Sequence, residues 1–111
     1  GDNVFIFEDN TIQPFTEIGN NTIFWSGNHF GHHSKIGDHC FISSHVVVSG
    51  GCTMGNNIFA GVNSSFHDGL KISDYALIGA GSVVTKNVSE QEVLLPPKTK
   101  VFHKTSEELG F

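Results

Sequence analysis

Histidines are the side chains best suited to chemistry in this sequence, and their spacing tests whether they could form a metal site. The 111 residues contain seven of them. His33, His39 and His45 follow each other at intervals of six, and at about 3.3 Å per extended residue such neighbours lie about 20 Å apart. Zn²⁺ needs about four ligands near 2 Å. We therefore expect no metal site within one chain, and only an interface between subunits could assemble the ligands.

The interval of six belongs to a period that runs through most of the chain. From Ile6 to Val84 every sixth residue is apolar, without exception. This period is neither the 3.6 of a helix nor the alternation of a hairpin sheet, and it is typical of a hexapeptide β-solenoid. The residue two positions before each apolar one is mostly small and points to the same side of the strand. The sequence therefore predicts an all-β fold, a parallel β-helix.

Turn sequences at every eighteenth residue predict three hexads per coil. We expect them to stack as one corner of the solenoid, with glycine supplying backbone freedom and Asn or Asp tolerating left-handed backbone and bonding neighbouring backbone groups. The four segments are 18–20 (IGN), 36–38 (IGD), 54–56 (MGN) and 72–74 (ISD).

The solenoid is predicted to occupy residues 1–88, about five coils, with a C-terminal tail at 89–111. The period is lost from Ser89, and Pro96-Pro97 cannot donate ladder hydrogen bonds. Because Gly1 falls inside a repeat, we expect the chain to be a piece of a longer protein.

Composition excludes some function classes. Eleven acidic residues against six basic ones give a net charge of −5, so no basic surface for nucleic acid is expected. No apolar run approaches the roughly 18 residues of a membrane span. Cys40 and Cys52 are twelve residues apart and belong to different faces, whereas a disulfide needs Cα atoms within about 7 Å. We expect free buried thiols, which suit a cytoplasmic location.

His32 stands apart because of its predicted neighbours. One coil further along lie Gly50 and Gly51, whose missing side chains would leave open space beside the imidazole. A neutral imidazole there could take a proton from an attacking amine or hydroxyl. The alternative is an exposed turn residue without a role.

Four segments around these residues resemble the solenoid domain of bacterial hexapeptide-repeat acyltransferases. The resemblance covers about residues 12–88 and is closest to the branch that acts on nucleotide-linked amino sugars and sialic acids, which includes bacillosamine and perosamine N-acetyltransferases. It implies a left-handed β-helix. The segments are 31–38 (GHHSKIGD), 48–51 (VSGG), 61–64 (GVNS) and 78–86 (IGAGSVVTK).

The resemblance also implies a mechanism and a set of site residues. His32 matches the general base, which deprotonates a sugar or nucleotide-sugar acceptor so that its amino or hydroxyl group attacks acetyl-CoA directly. In some members an acid follows this histidine, whereas here the next residue is His33. No metal takes part. Backbone groups of Gly50, Val62 and Ala80 would line the pantetheine groove, Lys86 would meet a CoA phosphate, and Asn28 and His29 would touch the acceptor.

Family members are trimers with active sites between the prisms, so the resemblance implies a homotrimer. Phe24, Trp25 and Phe30 are expected to give one face aromatic surface for such an interface. Many relatives also carry an N-terminal domain that holds the nucleotide sugar. Two other functions stay open: a structural or assembly solenoid without activity, and a zinc carbonic anhydrase of the same fold.

Overall fold

The structure, a computed structural model, describes residues 1–111 as a stack of short strands. Each strand is two residues long, and four-residue turns connect most of them. The strands are β1 (Phe5–Ile6), β2 (Thr11–Ile12), β3 (Glu17–Ile18), β4 (Ile23–Phe24), β5 (His29–Phe30), β6 (Lys35–Ile36), β7 (Phe41–Ile42), β8 (Val47–Val48), β9 (Thr53–Met54), β10 (Phe59–Ala60), β11 (Ser65–Phe66), β12 (Lys71–Ile72), β13 (Leu77–Ile78), β14 (Val83–Val84) and β15 (Val93–Leu94).

The strands form three parallel sheets, which are the faces of a triangular prism. Face 1 contains β1, β4, β7, β10, β13 and β15; face 2 contains β2, β5, β8, β11 and β14; face 3 contains β3, β6, β9 and β12. Paired residues are eighteen apart, as in Ile18 with Ile36 and Ile36 with Met54. This confirms the predicted β-helix of about five coils with three hexads each, and the architecture is consistent with the left-handed form.

The apolar residues that recur at every sixth position fill the interior of the prism. From Phe24 to Val84 all of them are buried. Small polar side chains at the other inward position of each hexad, such as Thr22, Ser34 and Ser64, are buried beside them. Cys40 and Cys52 are buried free thiols, as predicted. Burial raises the pKa of both thiols, so neither is a ready nucleophile.

Glycines also follow the large apolar residues at the other corners, where they permit close approach of the coils. Gly31 and Gly61 do not adopt a left-handed backbone. A Cβ on Gly61 would lie 2.5 Å from the backbone nitrogen of Ala80, and one on Gly31 would collide with the backbone of Gly50. Glycine is needed at these positions because successive coils approach closely, not because the turn requires conformational freedom.

The corner between faces 3 and 1 is held by a ladder of side-chain hydrogen bonds. The Oδ1 atom of Asp38 accepts from the backbone N–H of Asn20 at 2.6 Å, and that of Asn56 accepts from Asp38 at 2.8 Å. The predicted bonding to backbone groups is confirmed. The left-handed backbone, however, occurs one residue later, as at His39 with φ 57°.

The last coil is two residues shorter than the others. Val93 pairs with Leu77, and Val88 forms a bridge with Ile72, both at a separation of sixteen. A shift of two residues preserves the inward direction of alternate side chains. Val88 therefore remains buried, with only 3% of its surface exposed. The ladder thus continues to Leu94, six residues beyond the boundary predicted at residue 88. No helix in the chain has the length and apolarity that crossing a bilayer requires.

The three faces differ in their outward side chains. Face 3 presents Glu17, Lys35, Thr53 and Lys71. Face 1 presents only apolar residues, whose column is Phe5, Ile23, Phe41, Phe59, Leu77 and Val93. We call this column the apolar face.

The prediction that Phe24, Trp25 and Phe30 form an aromatic surface is correct only for Trp25. Phe24 and Phe30 stack against each other inside the prism, with ring centroids 4.2 Å apart, and neither is exposed. Trp25 remains on the surface, stacked on Phe7 at the edge of the apolar face.

Candidate active site at the corner between faces 2 and 3

His32 lies in the turn between β5 and β6, where face 2 meets face 3. Its backbone N–H donates to Gln13 Oε1 at 2.9 Å, and its carbonyl oxygen accepts from the N–H of Gly51, also at 2.9 Å. The backbone is thus fixed from the coils on both sides, while the side chain is exposed. A rigid backbone with a solvent-facing imidazole suits a group that must exchange protons with a ligand.

The imidazole of His32 occupies the space that the missing side chain of Gly50 leaves. A Cβ on Gly50 would lie 3.0 Å from both Cε1 and Nε2 of the ring. The predicted open space is therefore not beside the ring at Gly50. It lies one residue further along the turns, where a Cβ on Gly51 would meet only Gly69 at 3.9 Å and one on Gly69 would meet nothing within 4 Å.

His33 contacts His32 directly, a pairing that the sequence analysis did not predict. The two Nδ1 atoms are 3.1 Å apart and the rings meet edge to face. His33 in turn stacks on Phe15, one coil earlier, with centroids 4.9 Å apart. The spacing of eighteen between Phe15 and His33 was the signal in the sequence that could have revealed this stack.

The other histidines at the same phase are held apart at different corners. The Nδ1 atom of His39 is 3.4 Å from Asn21 Nδ2, and the ring of His45 lies beside Gly27. No three His, Cys, Asp or Glu side chains in the chain come together as a metal site would require.

The two residues predicted to touch an acceptor differ in burial: Asn28 is buried and His29 is half-buried. Asn28 is only 2% exposed; its Nδ2 donates to Trp25 O at 2.9 Å, and its Oδ1 accepts from Val46 N at 2.8 Å. It is part of the interior ladder, so its amide is not exposed to the acceptor that it was predicted to touch. His29 lies on face 2 between Thr11 and Val47 and is half-buried.

The residues predicted to line the acyl-CoA groove fall at two corners. Gly50 and Lys86 share the corner of His32, and Lys86 is exposed. Val62 and Ala80 are exposed at the corner between faces 1 and 2, across face 2 from His32. Beside Ala80, a groove of about 630 Å³ runs between residues 81–83 and 94–97. One prism does not bring all four residues together.

Sequence comparison supports the repeat assignment. Residues 16–50 match the family described as bacterial transferase hexapeptide (six repeats). The chain is 33% identical over 88 residues to a UDP-3-O-acylglucosamine N-acyltransferase of Campylobacter lari, covering 79% of this chain and 26% of that protein. It is 32% identical over 73 residues to an acyl-[acyl-carrier-protein]–UDP-N-acetylglucosamine O-acyltransferase of Paracoccus denitrificans, covering 66% of this chain and 28% of that one. The chain thus spans about a quarter of the length of these relatives.

Comparison with solved structures supports the fold. Serine acetyltransferase isoform 3 of Entamoeba histolytica superimposes with a TM-score of 0.73 at 20% identity, over 88% of this chain and 40% of that one. PerB of Caulobacter crescentus gives 0.60 at 19% identity, over 77% and 50%. Repeat, fold and sequence similarity together confirm that the chain resembles the bacterial hexapeptide-repeat acyltransferases.

Proposed function

We propose that this chain is the acyl-transfer part of an enzyme that moves an acetyl group from acetyl-CoA to a sugar, with His32 as general base. The observation that carries the proposal is the setting of His32. Its Nδ1 is engaged by His33 and its ring lies against Gly50, whereas Nε2 has no hydrogen-bond partner in the chain. An oriented imidazole with one free nitrogen at the surface is what general base catalysis requires.

The proposed step is a direct acyl transfer. The amino or hydroxyl group of the acceptor attacks the thioester carbonyl, and Nε2 of His32 takes the proton that the attacking group loses. The tetrahedral intermediate then collapses with expulsion of the CoA thiolate, and the proton held by His32 can pass to that sulfur. Both cysteines are buried, so the chain offers no accessible thiol for an acyl-enzyme.

The acceptor class rests on the relatives. The two relatives compared by sequence above are named for acyl transfer to UDP-linked glucosamine derivatives. Among the structural neighbours, PerB was solved with CoA and GDP-perosamine, and the acetyltransferase domain of PglB from Neisseria gonorrhoeae with acetyl coenzyme A. We infer a nucleotide-linked sugar as acceptor and acetyl-CoA as donor, with His29, which lies three residues before His32 on face 2, as a contact to the acceptor.

The active form is proposed to be a homotrimer. Val62 and Ala80 lie at the opposite edge of face 2 from His32, and we infer that a neighbouring subunit supplies the copies of these residues that line the groove beside His32. The apolar face offers the surface for association, since Phe41 and Phe59 stack at 5.5 Å and Phe59 and Leu77 remain about 40% exposed. Gly50, Val62 and Ala80 would then contact the pantetheine arm and Lys86 a phosphate, and the free thiols fit a cytoplasmic enzyme.

Calorimetric titration with acetyl-CoA, followed by product analysis with a panel of UDP- and GDP-linked amino sugars, tests this function. We expect saturable binding of acetyl-CoA and formation of an acetylated sugar with release of CoA. Binding without product from any acceptor would contradict the assigned acceptor class. Absence of binding would favour the structural or assembly solenoid.

A further inference from the structure

We propose that His33 is a positioning residue that fixes both the orientation and the tautomer of His32. The inference rests on the proposed role of His32 as general base. It starts from the Nδ1–Nδ1 distance of 3.1 Å between the two rings, which is within the range of a hydrogen bond. An Nδ1–Nδ1 bond contains a single proton, so one ring must donate and the other must accept.

Only one of the two arrangements leaves His32 able to act as a base. If Nδ1 of His32 carries the proton and donates it to His33, the lone pair of His32 stands on Nε2 and can accept a proton from the acceptor. If His33 donates instead, Nε2 of His32 carries a hydrogen and cannot. After proton uptake the first arrangement keeps its bond, because His32 still donates through Nδ1. We therefore assign Nδ1–H to His32 and Nε2–H to His33.

His33 is itself held from the preceding coil. Its ring stacks on Phe15 with an interplanar angle of 23°, and its backbone N–H donates to Pro14 O at 3.2 Å. Phe15 is 76% exposed, so its ring contributes little to the interior. Phe15 and His33 both have φ near 60°, at a corner position occupied mostly by Asn, Asp, Gly or His elsewhere in the chain. A bulky aromatic residue is unfavourable in this conformation, and at Phe15 the stack on His33 offsets part of that cost.

The pair differs from a histidine backed by a carboxylate. A neutral imidazole orients His32 without placing a negative charge next to it, so the acceptor site keeps no formal charge from this partner. Orientation by His33 is then a matter of hydrogen-bond geometry rather than of ion pairing.

The test uses His33→Gly, with His39→Gly as the matched control. Glycine tolerates the left-handed backbone at both positions, φ 59° and 57°, and His39 does not contact His32. Nitrogen NMR of the ring of His32, resolved from the other histidines by comparison with His32→Ala, reports its tautomer without any substrate. We expect a single Nδ1–H tautomer in the wild type and in His39→Gly, and a mixture in His33→Gly. Nε2–H in the wild type, or unchanged nitrogen shifts in His33→Gly, would overturn the proposal.

Kinetics separates this inference from the proposed function. His33→Gly should lower kcat by about ten- to a hundredfold, the size of the effect seen when a metal-bound histidine loses the partner that orients it, with KM for acetyl-CoA unchanged, while His39→Gly stays near wild type. His33→Asn, which also tolerates φ near 60° and offers an acceptor oxygen, should restore part of kcat; equal loss in both variants would contradict positioning. If the NMR result holds but His32→Ala keeps its activity, the pairing stands and the role of His32 as base fails.

Discussion

The imidazole of His32 lies against Gly50, one coil further along the solenoid, so closely that a Cβ on Gly50 would be 3.0 Å from Cε1 and Nε2. The contact changes what a substitution at Gly50 should do. A side chain there would not simply fill empty ligand space. It would press on the ring that we assign as the base.

Gly50→Ala should therefore lower turnover by moving His32. Because the ring is exposed and can shift by a few tenths of an ångström, the melting temperature should change little. The readouts are the rate of acetyl transfer and the affinity for acetyl-CoA. Made in the His32→Ala background, the same change should have no further effect on turnover, since contacting residues are non-additive. A full additional loss there would show that Gly50 acts through ligand contacts instead.

Ile36→Asp should unfold the solenoid. Ile36 is 3% exposed and stacks between Ile18 and Met54, and burial of an unpaired charge costs several kcal/mol. Thr53→Asp is the control, because Thr53 points outward between Lys35 and Lys71 on face 3. Thermal unfolding followed by circular dichroism should show a folded control and a disordered Ile36→Asp. Equal melting temperatures would refute the stacking.

Phe41→Glu should dissociate the proposed trimer. Phe41 lies in the middle of the apolar face, stacked on Phe59 at 5.5 Å, and a carboxylate there would be buried without a partner in an interface. Light scattering coupled to size exclusion should give a trimer for the wild type and a monomer for the variant. Thr53→Glu on face 3 should remain trimeric. A monomeric wild type, or a trimeric Phe41→Glu, would show that the apolar face is not the interface.

The strands and the core could be predicted because an inward position in a hexapeptide coil must be apolar, and the period from Ile6 to Val84 never breaks. The short last coil is harder to predict, since a step of four from Val84 to Val88 keeps the side chain inward and resembles loss of the period. The apolar face is visible in the sequence as apolar residues spaced eighteen apart, which include Phe41, Phe59 and Leu77. Phe24 and Phe30, which were predicted to form aromatic surface, are interior because both belong to the inward period from Ile6 to Val84.

The candidate site could be predicted only in part. His32 and its neighbour Gly50 follow from the eighteen-residue register. The pairing of His32 with His33 does not, because contact between consecutive side chains depends on the local backbone of the turn, where φ of His33 is 59°. The structural role of Asn28 was missed for a related reason. Its phase places it inside the prism, but the sequence alone does not show that its amide bonds the backbone of Trp25 and Val46.

The most direct measurement of the central claim is the rate of acetyl transfer by His32→Ala, from acetyl-CoA to a nucleotide-linked amino sugar that the wild type acetylates. We expect turnover to fall by roughly 10²–10⁴, the usual contribution of a general base, with little change in acetyl-CoA affinity. His39→Gly and His45→Gly, at the two other corners, should lose much less. Retention of more than about half of the wild-type rate by His32→Ala would contradict the assignment of His32 as the base.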